Sequence, residues 1–287
     1  MSETLDFDAT SHTVTAGRFE LHYNEAGADK PGTPVLFLHG SGPGVSGWSN
    51  FAGNFAAFAA ERRTIILDMP GFGRSPELKW DASYPVVAAE SVNALLDALG
   101  IDQVDIVGNS MGGNVACETA LAYPTRVRKM ALMGPGGLAE NLFAPNPSEG
   151  SRRLFEFLQK PTREGMVAWV DTMVGNRKVA SDELIDTRLA AALEPGAIKR
   201  TMDIFGSIFN PEFRTAPLWT RAESIKQETL LIWGRDDRML PYEGAHFAFR
   251  HLPNAELHVF SKCGHWAMIE QRVAFDRIVL EYFSRED

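Results

Sequence analysis

One serine in the sequence is flanked by glycines two residues to either side. Ser110 lies between Gly108 and Gly112 in the pattern Gly-x-Ser-x-Gly, after the apolar residues 104–107 and before the helix-like stretch 114–122. A strand that turns directly into a helix holds the residue between them in a strained bend, and glycine neighbours allow the backbone to close up there. Such a bend lifts the serine oxygen clear of the backbone. The pattern therefore predicts a nucleophile, with an ordinary glycine-rich turn as the alternative.

A nucleophilic serine needs a base to take its proton and an acid to fix the tautomer of that base. Candidates for both follow later apolar runs, His265 in KCGHW and Asp237 in WGRDDRMLP. The order Ser110, Asp237, His265 is the nucleophile–acid–base order of α/β-hydrolases. His39 and Asp236 compete for the two supporting roles. The structural alternatives are a histidine that pairs with loop backbone and a solvated aspartate pair.

The glycine-rich turn HGSGPG follows the first apolar run of the predicted core and begins at His39. Its backbone N–H groups are expected near Ser110, where they can stabilise the charge that develops on a carbonyl oxygen. Loss of one such donor costs about 3–4 kcal/mol. The backbone N–H of Met111, directly after the serine, is the expected second donor. The turn therefore predicts an oxyanion hole.

The same turn imitates a dinucleotide-binding fingerprint. Gly42, Gly44 and Gly47 form the pattern Gly-x-Gly-x-x-Gly after a strand, and Asp68 ends the next candidate strand. Pro43 is awkward in a phosphate-binding turn because it has no backbone N–H. A dinucleotide site would also leave the serine, aspartate and histidine motifs unexplained, so no nucleotide cofactor is expected.

The composition narrows the classes of protein and partner. The chain has 287 residues, a formal net charge of −9 and 45% hydrophobic residues, which fit one large α/β domain or a domain with an insertion. The acidic balance argues against nucleic acid or an anionic membrane as a partner. No apolar run reaches about 18 residues, so no membrane span is expected. The polar N-terminus is unlike a signal peptide, which favours a cytoplasmic protein.

Only two cysteines occur, Cys117 and Cys263. They are too few for a disulfide framework or a multi-thiolate metal site. Cys263 lies two residues before His265 and could be mistaken for a nucleophile, but a neighbouring side chain at a strand end is expected to point away from the base. Both cysteines are therefore interpreted as packing residues.

Short apolar runs alternate with helix-like segments, which predicts an α/β protein with a mostly parallel sheet. Most of these runs end in glycine, polar or charged residues, and the ligand of an open α/β sheet lies beyond the carboxyl ends of its strands. The candidate strands are 33–40, 62–71, 104–110, 127–136, 228–237 and 255–265. The candidate helices are 48–60, 84–99, 113–122, 243–251 and 270–283.

The alternation of strands and helices is interrupted once. Between residues 138 and 222 no convincing core strand occurs, and a proline-bearing loop (144–148) leads into stretches rich in Phe, Met, Trp and Leu. We therefore predict a core domain formed by residues 1–137 and 223–287, with residues 138–222 inserted as a helical cap. The alternative is one continuous fold in which this segment has no lid role.

Taken together, these motifs resemble those of α/β-hydrolases, and among them those of the meta-cleavage product hydrolases of bacterial aromatic and steroid degradation. The resemblance runs from about residue 10 to the C-terminus. It implies an eight-stranded, mostly parallel sheet flanked by helices, an inserted helical lid, and self-association into a homo-oligomer. The matching motifs are HGSGPGVSGWSN (39–50), GNSMGG (108–113), LMGPGG (132–137), WGRDDR (233–238) and FSKCGHW (260–266), with NLFAPNPSEG (141–150) similar to the cap entrance of steroid-pathway members.

The resemblance implies hydrolysis of a carbon–carbon bond. The family cleaves 2-hydroxy-6-oxo-hexa-2,4-dienoates, small-molecule products of extradiol ring opening, to 2-hydroxypenta-2,4-dienoate and a carboxylic acid. The dienol would first become a ketone, and Ser110 would then attack the C6 carbonyl to give an acyl-enzyme. The oxyanion would be held by the backbone of Ser41, Gly42 and Met111. The implied reaction needs no cofactor and no metal.

Four substrate-binding residues also follow from the resemblance. Asn50 and Asn109 match amide positions that contact the dienoate, although asparagine commonly satisfies backbone groups in such turns. Trp266 matches a wall of the dienoate site, with a buried core tryptophan as the alternative. Arg188 matches the cap arginine that faces the substrate carboxylate, whereas an arginine on an amphipathic helix is more often solvated. Lys178 departs from the family, which can show a substrate-contacting serine there, and this puts that contact in question.

Two further functions are alternatives to the carbon–carbon hydrolase. The first is a carboxylesterase or lactonase on the same triad, which would need no dienoate site, so the four matching binding residues argue against it. The second is a non-catalytic ligand receptor on a hydrolase fold, and the complete set of triad and oxyanion residues argues against it. In either case the expected partner is a small molecule.

Overall fold

The computed structural model describes residues 5–139, 147–213 and 215–286. Most of the predicted cap-entrance stretch 141–150, and of the loop 144–148, therefore lies outside the described residues. The strands are β1 (Ser11–Ala16), β2 (Phe19–Ala26), β3 (Val35–Leu38), β4 (Thr64–Leu67), β5 (Val104–Asn109), β6 (Val127–Met133), β7 (Glu228–Gly234) and β8 (Ala255–Phe260).

All eight strands form one sheet in the order β1-β2-β4-β3-β5-β6-β7-β8. The six strands from β4 to β8 in that order are parallel, whereas β1 pairs antiparallel with β2, and β2 antiparallel with β4. The expected eight-stranded, mostly parallel sheet is therefore confirmed. Each of the six candidate strands contains one of the observed strands β3 to β8.

Strands β1 and β2 were not located from the sequence pattern. They form a hairpin that turns at Gly17, whose φ of +59° favours glycine. Strand β1 lies at the edge of the sheet and keeps mostly exposed or half-buried side chains. In β2 the exposed Glu20 stands between buried Phe19 and Leu21. β1 is largely solvated, and β2 alternates apolar residues with the polar Glu20, His22 and Asn24. Neither strand forms a continuous apolar run, so a search for apolar runs passes over both.

Ten α-helices occur in the described part of the chain, and they include all five candidate helices. Their bounds are α1 (Gly47–Ala59), α2 (Tyr84–Ala98), α3 (Met111–Ala122), α4 (Glu149–Gln159), α5 (Arg163–Met173), α6 (Asp182–Ala192), α7 (Ala197–Phe209), α8 (Glu243–His251), α9 (Ala267–Glu270) and α10 (Arg272–Ser284). None of these helices is long and apolar enough to cross a membrane, so far as the described residues go.

The sheet is covered by apolar residues on both faces. One buried cluster includes Leu36 and Ile106, and the other includes Val35, Phe37 and Val107. Successive side chains of a strand point to opposite faces, so a strand buried on both faces reads as an unbroken apolar run. This arrangement places the carboxyl ends of the parallel strands at one edge of the sheet, where polar residues can meet.

Helices α4 to α7 fill the interval between β6 and β7, and the described residues of that interval contain no strand. Three of these helices begin at a capping side chain. Ser148, Thr162 and Ser181 each accept a hydrogen bond from the backbone N–H three residues further on, which satisfies a donor that a helix start leaves free. These N-terminal capping residues fix the starts of the helices that cover the carboxyl edge of the sheet.

Candidate active site

Ser110 occupies the bend between β5 and α3 with φ +54° and ψ −112°. A non-glycine residue held in such a sparsely populated conformation stores about 1–3 kcal/mol of strain. The strain is offset locally, since the Ser110 N–H donates to the carbonyl oxygen of Met133 and its carbonyl accepts from Gly136, each at 2.9 Å. A side chain at Gly112 would collide with the carbonyl of Leu38. The bend that the glycine pattern predicts is therefore present.

His265 and Asp237 form a buried pair beyond the ends of β8 and β7. Nδ1 of His265 lies 2.7 Å from Oδ2 of Asp237, and both side chains are 1% exposed. Oδ1 of the aspartate accepts the backbone N–H groups of Met239 and Leu240 at 2.8 and 2.9 Å. The carboxylate is thus anchored as an acceptor, so it holds the imidazole proton on Nδ1 and leaves Nε2 free to accept. No group in the described residues pairs with Nε2.

The competing histidine and aspartate serve other purposes. His39 is fully buried, with Nδ1 2.7 Å from the carbonyl oxygen of Gly40 and Nε2 accepting the N–H of Met69 at 3.1 Å. Burial lowers the pKa of His39, and both ring nitrogens are already used by the loop. Asp236 is 42% exposed and faces Arg235. Neither residue is placed like the His265–Asp237 pair.

The predicted oxyanion donors lie at two loop-to-helix junctions. Ser41 and Gly42 lie between β3 and α1, and Met111 is the first residue of α3. Among the described residues, none accepts a hydrogen bond from the backbone N–H of these three. The N-terminus of a helix also carries partial positive charge. Donors are therefore available beside Ser110, and their role as an oxyanion hole stays a prediction.

Asn50 and Asn109 are paired with each other. Nδ2 of Asn50 donates to Oδ1 of Asn109 at 3.2 Å, and Nδ2 of Asn109 reaches the carbonyl oxygens of Met133 and His265 at 3.4 and 3.5 Å. Both side chains are buried. Asn109 therefore braces the end of β5 against the loop that carries His265. The backbone role that the sequence left open is present, while both amides also face the cavity described below.

Arg188 on α6 is buried to 2% exposure, and no described group pairs with its Nε or Nη2. Its guanidinium carbon lies 4.5 Å from the ring centroid of Trp266 and 6.0 Å from that of Trp169. Burial lowers the pKa of Arg188 to about 10, so it stays cationic at neutral pH. An unpaired buried cation is costly, and aromatic faces offset only part of that cost. The site is therefore suited to an anion.

These residues line one cavity. Of the predicted site residues, only Asp237, which lies behind His265, and Met111 do not line it. Helices α4, α5 and α6 supply Leu154, Trp169, Met173 and Arg188. The lining residues are Gly40, Ser41, Gly42, Val45, Asn50, Asn109, Ser110, Leu154, Trp169, Met173, Arg188, Met239, His265 and Trp266.

Six lining residues were not among the predicted site residues: Gly40 and Val45, which lie within the predicted glycine-rich motif, and Leu154, Trp169, Met173 and Met239. The last four are of types common in any apolar core, so no local signal distinguishes them from packing residues. Lys178, which stands where the family can show a substrate-contacting serine, is exposed on a short turn and does not line the cavity.

Glu270 on α9 is a further residue that the sequence did not single out. Its Oε2 accepts the N–H groups of Gly175 and Asn176, each at 2.8 Å, and its Oε1 accepts the N–H of Gly264 at 2.7 Å. Burial raises the pKa of Glu270, while these hydrogen bonds oppose the rise. One carboxylate thus joins the segment after α5 to the loop that carries His265.

Cys117 and Cys263 are both fully buried, and burial raises the pKa of each thiol. A buried thiol with a raised pKa is a poor nucleophile, which fits the prediction that both residues pack. Within the described residues, no group of three or more His, Cys, Asp and Glu side chains is arranged to hold a metal ion.

Comparison with known proteins places the chain in a family. The family described as alpha/beta hydrolase fold matches residues 33–271. This range spans the strained serine, the buried aspartate–histidine pair and the helices that cover them. The chain belongs to the α/β-hydrolase fold family.

Within that family the similarity to one group extends over nearly the whole chain. The 2-hydroxy-6-oxo-6-phenylhexa-2,4-dienoate hydrolase of Burkholderia cepacia is 39% identical, with 98% of both chains covered. The 2-hydroxy-6-oxononadienedioate/2-hydroxy-6-oxononatrienedioate hydrolase of Comamonas testosteroni is 38% identical, with 99% of both covered. The solved meta-cleavage product hydrolase of Pseudomonas fluorescens IP01 is 32% identical, with a TM-score of 0.83 over 95% of this chain and 97% of that one. The expected resemblance to meta-cleavage product hydrolases is confirmed.

Proposed function

We propose that the protein hydrolyses the C5–C6 carbon–carbon bond of a 2-hydroxy-6-oxo-hexa-2,4-dienoate, with Ser110 as the nucleophile. The products are 2-hydroxypenta-2,4-dienoate and a carboxylic acid. The observation that carries this proposal is that one cavity joins Ser110 and His265 to the buried Arg188, whose Nε and Nη2 have no partner among the described residues. A substrate with a carboxylate at one end and a reactive ketone several atoms away satisfies both ends of that cavity.

Cleavage of a carbon–carbon bond requires a place for the electron pair. In the first step a proton leaves the oxygen on C2 and another is added to C5, so that C2 becomes a ketone. The bond between C5 and C6 can then break, because its electrons pass through the conjugated chain to the oxygen on C2. Arg188, bound to the carboxylate next to C2, stabilises negative charge at that end of the molecule.

The remaining steps use the triad. His265 takes the hydroxyl proton of Ser110 through Nε2 as the oxygen adds to C6, and Asp237 stabilises the imidazolium that forms. The backbone N–H groups of Gly42 and Met111 hold the oxyanion. Collapse expels the dienolate, which takes the proton from His265. Water, activated by the same base, then hydrolyses the acyl-enzyme to the carboxylic acid and restores the serine.

The walls of the cavity favour an apolar group on C6. Leu154, Met173 and Met239 line it, and Arg188 is the single lysine or arginine on its wall within the described residues. The names of the two relatives differ in the group on C6, since one specifies a phenyl group and the other a second carboxylate. A second carboxylate would be buried without a cation, which is costly. These apolar walls favour a phenyl or short alkyl group on C6.

We also propose that residues 138–222 act as a lid. Leu154, Trp169 and Arg188 reach the cavity from α4, α5 and α6, so movement of these helices would open it. A closed lid excludes water and strengthens the pairing of Arg188 with the carboxylate. Self-association and a cytoplasmic location stay predictions.

The proposal is tested by mixing the purified protein with three coloured dienoates that carry a phenyl group, a methyl group and a carboxylate-bearing chain on C6. We expect loss of the dienoate absorbance with the first two, at a kcat/KM at least about tenfold above that for the third, because of the unpaired second charge. Release of the matching carboxylic acid is measured in parallel. Hydrolysis of neutral esters without cleavage of any dienoate would refute the proposal in favour of an esterase.

A further inference from the structure

The described residues contain seven buried side-chain nitrogen or oxygen atoms without a hydrogen-bond partner, and four of these belong to residues that line the cavity. The four are Nε2 of His265, Nε and Nη2 of Arg188, and Nε1 of Trp169. Native proteins pair nearly all such atoms, so their concentration indicates that a ligand supplies the partners. The proposed mechanism uses His265 and Arg188 and gives the indole of Trp169 no role.

Trp169 stands between the oxyanion turn and the guanidinium group. A Cβ atom built on Gly42 would lie 2.7 Å from Cζ2 of Trp169, so the benzo edge of the indole rests directly on that glycine. Nε1 and Cζ2 are bonded to the same ring carbon, which places the N–H edge close to the turn as well. On the other side, the ring meets Trp266 edge to face at 5.7 Å, and the guanidinium carbon of Arg188 lies 6.0 Å away.

The indole N–H can only donate a hydrogen bond. Trp169 is 1% exposed, and a buried donor without an acceptor is unfavourable. If the residue served only to fill space, phenylalanine, leucine or methionine would do so without that penalty. The donor instead has a use if an oxygen of the substrate lies between Ser110 and Arg188, where the chain from C6 to the carboxylate must run.

We propose that Trp169 positions the substrate by donating its indole N–H to an oxygen at the carboxylate end of the dienoate, either the carboxylate itself or the oxygen on C2. Arg188 and Trp169 then hold the same oxygen-rich end from two sides, and the cap recognises the 2-oxo acid rather than its charge alone. This inference rests on the proposed function, since it concerns the substrate of that reaction.

The test uses Trp169→Phe, which keeps an aromatic ring against Gly42 and removes the donor. We expect kcat/KM for the dienoate to fall by about 10- to 100-fold, the effect of losing one hydrogen bond to a charged acceptor. Hydrolysis of a neutral aryl ester should change less than about twofold, because it depends on the triad and oxyanion donors. Trp219→Phe is the matched control, since Trp219 packs against Phe247 at 5.4 Å and does not line the cavity. It should leave both reactions unchanged.

A double variant with Arg188→Lys adds a second measurement. If both residues hold one end of the substrate, the combined loss should be smaller than the product of the two single losses. A fall of the ester and dienoate reactions together would show that Trp169 supports the cavity only by packing and would overturn the proposal, as would an unchanged dienoate reaction. A parent enzyme that cleaves no dienoate would instead refute the proposed function.

Discussion

The backbone N–H of His265 donates to the carbonyl oxygen of Met173, the last residue of α5, at 2.8 Å. The loop that carries the candidate base is thus bonded by its main chain to α5. Glu270 reinforces the same junction by accepting N–H groups from both sides of it. The orientation of the imidazole therefore depends on residues that are distant in sequence from the triad.

Glu270→Gln should weaken that junction. An amide has one acceptor oxygen where the carboxylate has two, so one side of the junction would face an NH₂ group instead. We expect kcat to fall by about tenfold on both dienoate and neutral ester, the effect of losing roughly one hydrogen bond to a charged group. When Glu270→Gln is added to Ser110→Ala, the affinity for the dienoate should stay the same as that of Ser110→Ala alone. Glu281→Gln, on the exposed side of α10, is the control, and an unchanged kcat would show that Glu270 does not position the base.

Ser110→Ala should abolish turnover while the coloured dienoate still binds, because the cavity and Arg188 remain. Stopped-flow spectra should show a bound, unreacted chromophore, and an assay of the carboxylic acid product should show none. Loss by a factor of about 10⁴ or more is expected for removal of a nucleophile. Turnover within about tenfold of the parent would exclude an acyl-enzyme on this serine.

Asp237→Asn should impair turnover far more than Asp236→Asn. Asp237 is buried against Nδ1 of His265, whereas Asp236 is 42% exposed and faces Arg235. An asparagine at position 237 can present its NH₂ group to the imidazole and favour the wrong tautomer, which in a related triad costs about 10⁴ in kcat. Steady-state kinetics of the two variants decide the matter, and equal effects would contradict the assignment of the acid.

Arg188→Lys should separate the two types of substrate. The planar guanidinium can bind both carboxylate oxygens, whereas an ammonium group acts as a point charge. We expect kcat/KM for dienoates to fall more than about tenfold, a loss of roughly 1.4 kcal/mol, while hydrolysis of a neutral ester changes little. If both reactions fell together, Arg188 would be structural. If neither fell, the carboxylate would have another partner.

Asp276 should make stability depend on pH with an unusual sign. Burial raises its pKa from 3.8 to about 6, even though Asn54 donates to Oδ1 at 2.6 Å. The folded state then binds the proton more tightly than the unfolded chain. The contribution of this group to the free energy of unfolding therefore falls as pH rises from about 4 to about 6. Asp276→Asn should therefore raise the free energy of unfolding at pH 7.5 by about 1–3 kcal/mol. The gain should vanish near pH 4, and urea titrations at both pH values measure it.

The sequence located the six parallel strands and missed the antiparallel hairpin of β1 and β2. Val35 to Leu38 are all buried, and burial on both faces leaves an unbroken apolar run that is visible in the sequence. β1 has no such run, because most of its side chains face solvent. β1 and β2 could be located only from their pairing in the sheet, in which Ala16 lies opposite Phe19 across a two-residue turn.

The sequence by itself determined the chemical groups. The glycine pattern requires a bend at Ser110. The polar residues that end parallel strands must meet at one edge of the sheet, so Asp237 and His265 could be predicted from their positions at the ends of candidate strands. Only the tertiary structure decided what surrounds them. Trp169 and Glu270 are ordinary residues in the sequence, and their placement depends on how α5 and α9 pack on the rest of the fold. Local periodicity carries no information about such distant contacts, and for that reason the surroundings of Ser110 and His265 were decided by the fold.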